Sequence, residues 1–249
     1  MSLLNKHAVV TGGGSGIGLA ITRAMVNEGV LVTIMGRNME RLAEVANSDK
    51  NINAVQVDVT NAESVSKAFK VASNIEPISI LVNNAGAAKA APFHKTSLDM
   101  WQSTLDVNLT SVFLTTRAAF TDISNANHGR FINIASTAGV EGAAYTAAYS
   151  ASKHGVVGLT KSLALELTKT NVTANAICPG FTNTNIVEQS INAIMKKTGR
   201  NKQDALKDIL GSANQKRLVE PEEIAKEVIK LCGTASDTIN GKTIIIDGN

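Results

Sequence analysis

Thr11-Gly12-Gly13-Gly14-Ser15-Gly16-Ile17-Gly18 follows the apolar run 7–11 and opens a helix-length amphipathic segment, 16–28. Glycines at a strand-to-helix turn let the backbone bend sharply and approach a ligand, while the free N–H groups and dipole of the helix start attract negative charge. The spacing is Gly12-x-x-x-Gly16-x-Gly18 rather than GxGxxG. In its strand–turn–helix setting it points to a dinucleotide pyrophosphate, with a purely structural turn as the bland alternative. A GxSxG nucleophile elbow is excluded here, because it would need glycine where Ile17 stands. A P-loop is excluded too, because no Gly-Lys-Ser/Thr ending follows.

Outward from this turn, short apolar and β-branched runs recur at 7–11, 31–35, 54–57, 78–82, 130–134, 172–177 and 242–246, which suggests seven strands. Several are apolar on both alternations, so they fit a parallel sheet covered by helices on both faces. Amphipathic segments at 16–28, 39–46, 62–73, 103–122, 149–167 and 222–231 alternate with them as crossover helices. The expectation is an α/β, doubly wound Rossmann fold in one domain over 1–249. Pro77, Pro92, Pro179 and Pro221 each fall at an element boundary, as residues without an N–H donor should. The long helical stretch between the sixth strand and the last helix, about 181–219, reads as a short helical lid over the carboxyl ends of the strands, where open α/β sheets bind ligands.

Composition removes other classes. The 249 residues are 44% hydrophobic and 18% charged with a formal net charge of +3, figures of an ordinary folded domain. Charged or polar residues interrupt every apolar run, so no membrane span is expected. The start runs directly into a strand without the sections of a secretory signal, which makes a cytoplasmic protein the expectation. Cys178 and Cys232 stand far apart in apolar surroundings and read as small buried hydrophobes. His7, His94, His128 and His154 are scattered with no companions at ligand spacing, so no metal site is expected. The densest basic stretch, Lys196, Lys197, Arg200 and Lys202, has no aromatic residues for base stacking, so no nucleic acid partner is expected.

A second chemical signal is Tyr149-Ser150-Ala151-Ser152-Lys153. One helical turn separates the phenol from the ammonium. A nearby ammonium favours phenolate and lowers the tyrosine pKa from about 10 toward working pH, where it serves as acid or base.

With these residues in order, the chain resembles the short-chain dehydrogenase/reductase family in its common form, from Lys6 to the end. The resemblance rests on TGGGSGIG at 11–18, Asp58-Val59, Asn83-Asn84-Ala85-Gly86, Val107-Asn108-Leu109, Ile134-Ala135-Ser136, Tyr149 to Lys153, Pro179-Gly180 and Asp247-Gly248. It implies Tyr149 as proton donor to a carbonyl oxygen or base for an alcohol. It implies Lys153 as the group that depresses the Tyr149 pKa and binds the nicotinamide ribose. Ser136 would polarise the substrate oxygen, where a fixed donor counts most in the transition state. Asn108 would hold a helix open for a water that links Lys153 to solvent. Gly12, Ser15, Gly16, Ile17 and Gly18 would receive the pyrophosphate. Asp58 and Val59 would meet the adenine, and Asn84, Ala85 and Gly86 would support the adenosine half. Pro179, Gly180, Thr182 and Thr184 would grip the nicotinamide. Asn83 is expected to be structural.

NAD and NADP are told apart where the second strand ends, since an acidic side chain there binds the ribose 2′-OH and repels a 2′-phosphate. This chain reads Met35-Gly36-Arg37-Asn38, with Gly36 where NAD-preferring relatives carry Asp, and Arg37 able to clamp the extra phosphate. The second basic position of many NADP enzymes is Ser15 here. NADP(H) is favoured over NAD(H); an Arg37 that stacks on adenine or faces solvent would keep NAD(H) open.

The resemblance thus implies an NADP(H)-dependent oxidoreductase that interconverts a carbonyl and a secondary alcohol, and a homotetramer. The lid sequence is similar to that of relatives acting on 3-oxoacyl or 3-hydroxyacyl thioesters. The basic lid residues could receive an anionic carrier such as coenzyme A, or form a solvated face. The alternatives are an NAD-dependent 3-hydroxy acid or alcohol dehydrogenase and, in a different class, a non-catalytic nucleotide-binding module.

Overall fold

A computed structural model describes residues 3–249. The apolar runs become β1 (His7–Thr11), β2 (Leu31–Gly36), β3 (Ile52–Gln56), β4 (Ile80–Asn83), β5 (Gly129–Ile134), β6 (Val172–Pro179) and β7 (Thr243–Ile246). They pair in parallel in the order β3-β2-β1-β4-β5-β6-β7. Chain order reverses between β1 and β4, so the loops beyond Thr11 and Asn83 flank the crevice where such sheets bind ligands.

Helices α1 (Gly16–Asn27), α2 (Met39–Ala46), α3 (Ala62–Ile75), α4 (Leu98–Leu105), α5 (Ser111–Asn125), α6 (Ala147–Glu166), α7 (Asn185–Thr198), α8 (Lys202–Ser212) and α9 (Pro221–Cys232) complete the fold. Two cores form because the strands are apolar on both faces. One gathers Ile21, Met25, Ile34, Val228 and Leu231 beneath α1 and α9. The other gathers Phe69, Leu81, Ile123, Phe131 and Leu163 beneath α3, α5 and α6. Cys178 and Cys232 are both buried, as apolar neighbours suggested, Cys232 in the first core and Cys178 in a smaller cluster with Val112, Val156 and Ala176.

Two departures from the sequence expectation matter. The first is that the strand expected at 54–57 begins two residues earlier, at Ile52, and follows β2 to Gln56. The second concerns the helix expected over 103–122, which is three pieces: α4, a π turn at Asp106–Thr110, and α5. The cause is Asn108, whose Nδ2 donates to the Thr104 carbonyl at 3.0 Å, the acceptor an α-helix would give to the Asn108 backbone. The stretch 181–219 is helical as expected, forming α7 and α8 around their own apolar cluster of Val187, Ile191, Ala205 and Ile209.

At the opposite end of the sheet, Arg130 is fully buried and ties β5 to the C-terminal region. Its guanidinium donates to the Leu231 carbonyl at 3.1 Å, to His128 Nδ1 at 3.0 Å and to the Asp237 carboxylate. His128 Nε2 reaches the Cys232 carbonyl at 2.8 Å, so the ring is held neutral with Nδ1 accepting. Among the described residues no helix is long and apolar enough to cross a membrane.

Candidate active site

The glycine turn is built by backbone demands that only glycine meets. Gly12 and Gly16 have φ of +68° and +52°, and a Cβ on Gly18 would lie 2.2 Å from the Gly12 carbonyl oxygen. Ser15 precedes α1 in extended conformation, and its side chain makes no capping bond to the first turn. The α1 start carries no acidic residue either, which leaves its positive end directed at the crevice. A latch holds the turn in register: Thr11 Oγ1 accepts from the Asn84 and Ala85 N–H groups, each at 3.0 Å. Asn84 Nδ2 donates back to the Thr11 carbonyl at 2.9 Å.

Beside the turn, Arg37 is exposed at the end of β2, and its positive charge helps to lower the Asp58 pKa. The larger cause is Thr60, whose hydroxyl and N–H both donate to Asp58 Oδ1, at 2.7 and 3.0 Å. Val59 is buried behind them. Arg41, which the sequence reading passed over, lies against Gly14, with Cγ 3.5 Å from where a Cβ on that glycine would stand. The sequence signal available for it is a second arginine four residues after Arg37, in the first turn of α2.

Four polar side chains converge beyond β4, β5 and the start of α6. Asn108 is fully buried, accepting from Ala87 N–H at 3.1 Å and donating to the Ala87 carbonyl at 2.8 Å. Gly86 lies between two of them: a Cβ there would be 2.7 Å from Asn108 Oδ1 and 3.7 Å from Lys153 Nζ. Lys153 Nζ donates to the Ile134 carbonyl at 2.8 Å and stands 5.8 Å from the Tyr149 ring centroid. The Ser136 hydroxyl accepts from Ala138 N–H at 3.2 Å. At the end of β6, Pro179 and Gly180 lead to Thr182 and to Thr184, whose Cγ2 would be 3.3 Å from a Cβ on Gly16.

Electrostatics differ from the sequence expectation. Burial raises the Tyr149 pKa, and the Ser136 hydroxyl draws it partly back down. Burial also lowers Lys153 to about 8. The crevice desolvates phenolate and ammonium alike, and Lys153 directs its proton to the Ile134 carbonyl rather than to the phenol. Desolvation therefore sets the direction for both groups. On the lid, Arg200 pairs with Asp208, and Lys202 pairs with Glu188 at 3.1 Å. Lys196 and Lys197 are exposed in the last turn of α7.

The family model for short chain dehydrogenases matches residues 6–194. The chain belongs to the short chain dehydrogenase family. The D-beta-hydroxybutyrate dehydrogenase of Cupriavidus necator is 35% identical over 252 residues, covering 99% of this chain and 98% of that protein. The acetoacetyl-CoA reductase of Shinella zoogloeoides is 35% identical over 246 residues, covering 98% of each. A 3-oxoacyl-(acyl-carrier-protein) reductase of Aquifex aeolicus is 36% identical over 254 residues, covering 100% of this chain and 98% of its own. Among solved structures, a variant of actinorhodin polyketide ketoreductase with NADPH superposes with a TM-score of 0.91 at 31% identity, covering 98% of this chain and 96% of that one. As a short chain dehydrogenase this protein is an oxidoreductase, and its sheet has the family's doubly wound form.

Proposed function

We propose that this protein is an NADP(H)-dependent oxidoreductase that interconverts 3-oxoacyl and 3-hydroxyacyl compounds, with Tyr149 as the proton donor and acceptor. The observation that carries the reading is the convergence of Asn108, Ser136, Tyr149 and Lys153 on the mouth of a glycine turn whose conformation leaves room for a pyrophosphate. The names of the relatives, reductases and dehydrogenases of 3-oxo and 3-hydroxy acyl compounds, support the substrate class. Arg37 beyond β2, with no acidic residue at Gly36, supports NADP(H), as does the NADPH in the related ketoreductase.

The glycine turn fits the cofactor because positive φ at Gly12 and Gly16 removes side chains from the crevice, and the uncapped start of α1 faces it. Gly12, Ser15, Gly16, Ile17 and Gly18 would hold the pyrophosphate, Arg37 the 2′-phosphate, Asp58 and Val59 the adenine, and Asn84 to Gly86 the adenosine half. Pro179, Gly180, Thr182 and Thr184 would hold the nicotinamide, which supplies hydride when reduced. The rest of the chemistry belongs to the chain. Ser136 donates to the substrate carbonyl oxygen and fixes its place as negative charge develops there. Tyr149 then delivers its phenolic proton to that oxygen, and its raised pKa keeps the proton on the donor until the oxygen becomes strongly basic. Lys153 binds the ribose and, with a pKa near 8, is suited to return a proton toward Tyr149. Asn108, which holds the π turn open, would support a water that links Lys153 to solvent.

A homotetramer is part of the proposal. Phe113 and Phe120 on α5 and Leu165 on α6 are 48%, 37% and 73% exposed, apolar surface suited to cover by other copies. A cytoplasmic location completes it. The test is NADPH oxidation on a panel of 3-oxoacyl thioesters, β-ketoesters and sugars. Turnover of the acyl thioesters supports the reading. Turnover of sugars alone overturns the substrate class, and tight NADPH binding with no turnover favours a nucleotide-binding module.

A further inference from the structure

The segment from Gly180 to Thr184 leaves β6 and lies against the glycine turn, yet its shape is set by a residue from the far end of the lid. Gln215 is only 6% exposed. Its Oε1 accepts from the Phe181 N–H at 2.8 Å, and its Nε2 donates to the Phe181 carbonyl at 2.8 Å. A side-chain amide thus meets both backbone groups of one residue, as a neighbouring strand would. Nε2 also donates to the Arg217 carbonyl at 2.6 Å, so donors and acceptor are all engaged.

Beyond the amide the same pairing continues in backbone. Val219 N–H donates to the Phe181 carbonyl at 2.9 Å, and Asn183 N–H donates to the Val219 carbonyl at 2.8 Å. Gln215 is delivered to its place by the end of α8, where Asn214 has φ of +49° and Gln215 N–H returns to the Leu210 carbonyl at 3.0 Å. Room is made on the other side by Gly180, where a Cβ would stand 2.6 Å from Gln215 Oε1.

We propose that Gln215 is a positioning residue for the nicotinamide half of the cofactor site, acting through Phe181 on the course of residues 180–184. This rests on the cofactor reading above. A buried amide with three bonds to backbone at the base of a lid fixes the exit and entrance of that lid to each other. Loss of the pairing frees Thr182 from Val219 and Thr184 from the place it holds beside Gly16, while Arg37 and Asp58 at the adenosine end make no hydrogen bond to residues 180–184.

The experiment is fluorescence titration of the full-length protein with NADPH, and competition by 2′,5′-ADP, which carries the phosphorylated adenosine end and no nicotinamide. Gln215→Glu keeps size and acceptor but loses both donors; Gln215→Met keeps size and loses all three bonds. The expected result is an NADPH Kd raised about tenfold in each, with the 2′,5′-ADP Kd unchanged. Gly180→Ala, which displaces the amide from the other side, should reproduce that split, and its double variant with Gln215→Met should be no worse than either single one, as for one shared interaction. Equal loss for both ligands, or a lowered melting temperature with NADPH binding intact, overturns the proposal alone. A wild-type protein that does not bind NADPH overturns it together with the cofactor reading.

Discussion

Lys153 is a buried cation with a function, and its burial has a cost that can be measured. Its side chain is 4% exposed, and burial lowers its pKa from an ordinary 10.5 to about 8. At 1.36 kcal/mol per pH unit, that displacement makes the charged form about 3 kcal/mol less favourable in the folded protein than in the unfolded chain at neutral pH. Replacement by methionine, of similar length and apolar, removes that cost and forfeits one hydrogen bond to the Ile134 carbonyl, worth about 1 kcal/mol. Lys153→Met should therefore stabilise the protein by about 2 kcal/mol at pH 7, raising Tm by about 4–8 °C at 2–4 °C per kcal/mol for a chain of this size, while it abolishes turnover.

The pH dependence identifies the cause. Between about 8 and 10.5 the unfolded chain holds a proton on Lys153 that the folded protein has released, so wild-type stability rises with pH through that window. Below it both forms are charged and the full cost is present. The advantage of Lys153→Met should thus shrink to about zero near pH 10, read by urea denaturation at pH 7 and pH 10. A variant less stable than wild type at pH 7, or an advantage that does not change with pH, refutes the reasoning.

Other outcomes follow from the same structure. Arg37→Ala should cut the preference for NADPH over NADH about tenfold or more in kcat/KM, because the lost contact is a charge-assisted one to phosphate; an unchanged ratio contradicts its role. Ser136→Ala should lower kcat by about a hundredfold or more with little change in cofactor Kd, since its donor counts most in the transition state. Gly18→Ala would force a Cβ against the Gly12 carbonyl, and calorimetry should show at least about 2 kcal/mol of destabilisation together with lost NADPH binding. His128 and His7 both have pKa values lowered by burial, so the unfolded chain takes up a proton first at each as pH falls through 6.5; stability should drop there, and His128→Gln should lessen the slope by up to about 1.4 kcal/mol per pH unit while the His7 share remains.

The parts of this fold legible in the sequence were those written in local periodicity. Strands buried on both faces appear as unbroken apolar runs, and six of the amphipathic segments lie on observed helices, because the sheet order needs nothing beyond alternation and right-handed crossovers. Edges were less legible: Ile52 joins β3 only because Val32 lies opposite it, and strand pairing is not a local property. The π turn at Asn108 leaves no trace in helix periodicity, since it depends on one side-chain amide taking the Thr104 carbonyl. The family's motifs placed Asn108 there, but spacing did not.

At the site, Tyr149 and Lys153 were visible as a pair one turn apart, yet the sign of the balance between them was not. Spacing gives proximity and says nothing about desolvation, which depends on everything that covers the crevice. Gln215 was invisible for a different reason. It lies 34 residues from Phe181, and a lone glutamine in a polar stretch carries no motif. In sequence Arg41 and Thr11 are only parts of a helix and a turn, and their contacts appear once Gly14 and Asn84 are in place.

The most direct measurement is transfer of label from stereospecifically deuterated NADPH to acetoacetyl-CoA, followed by mass spectrometry of the product. One deuterium should arrive at C3 of a single 3-hydroxybutyryl enantiomer with the wild-type protein, and none with Tyr149→Phe, although that variant still binds NADPH. A wild-type protein that binds NADPH and transfers no label, or a Tyr149→Phe protein that transfers it at the wild-type rate, contradicts Tyr149-dependent reduction of 3-oxoacyl compounds.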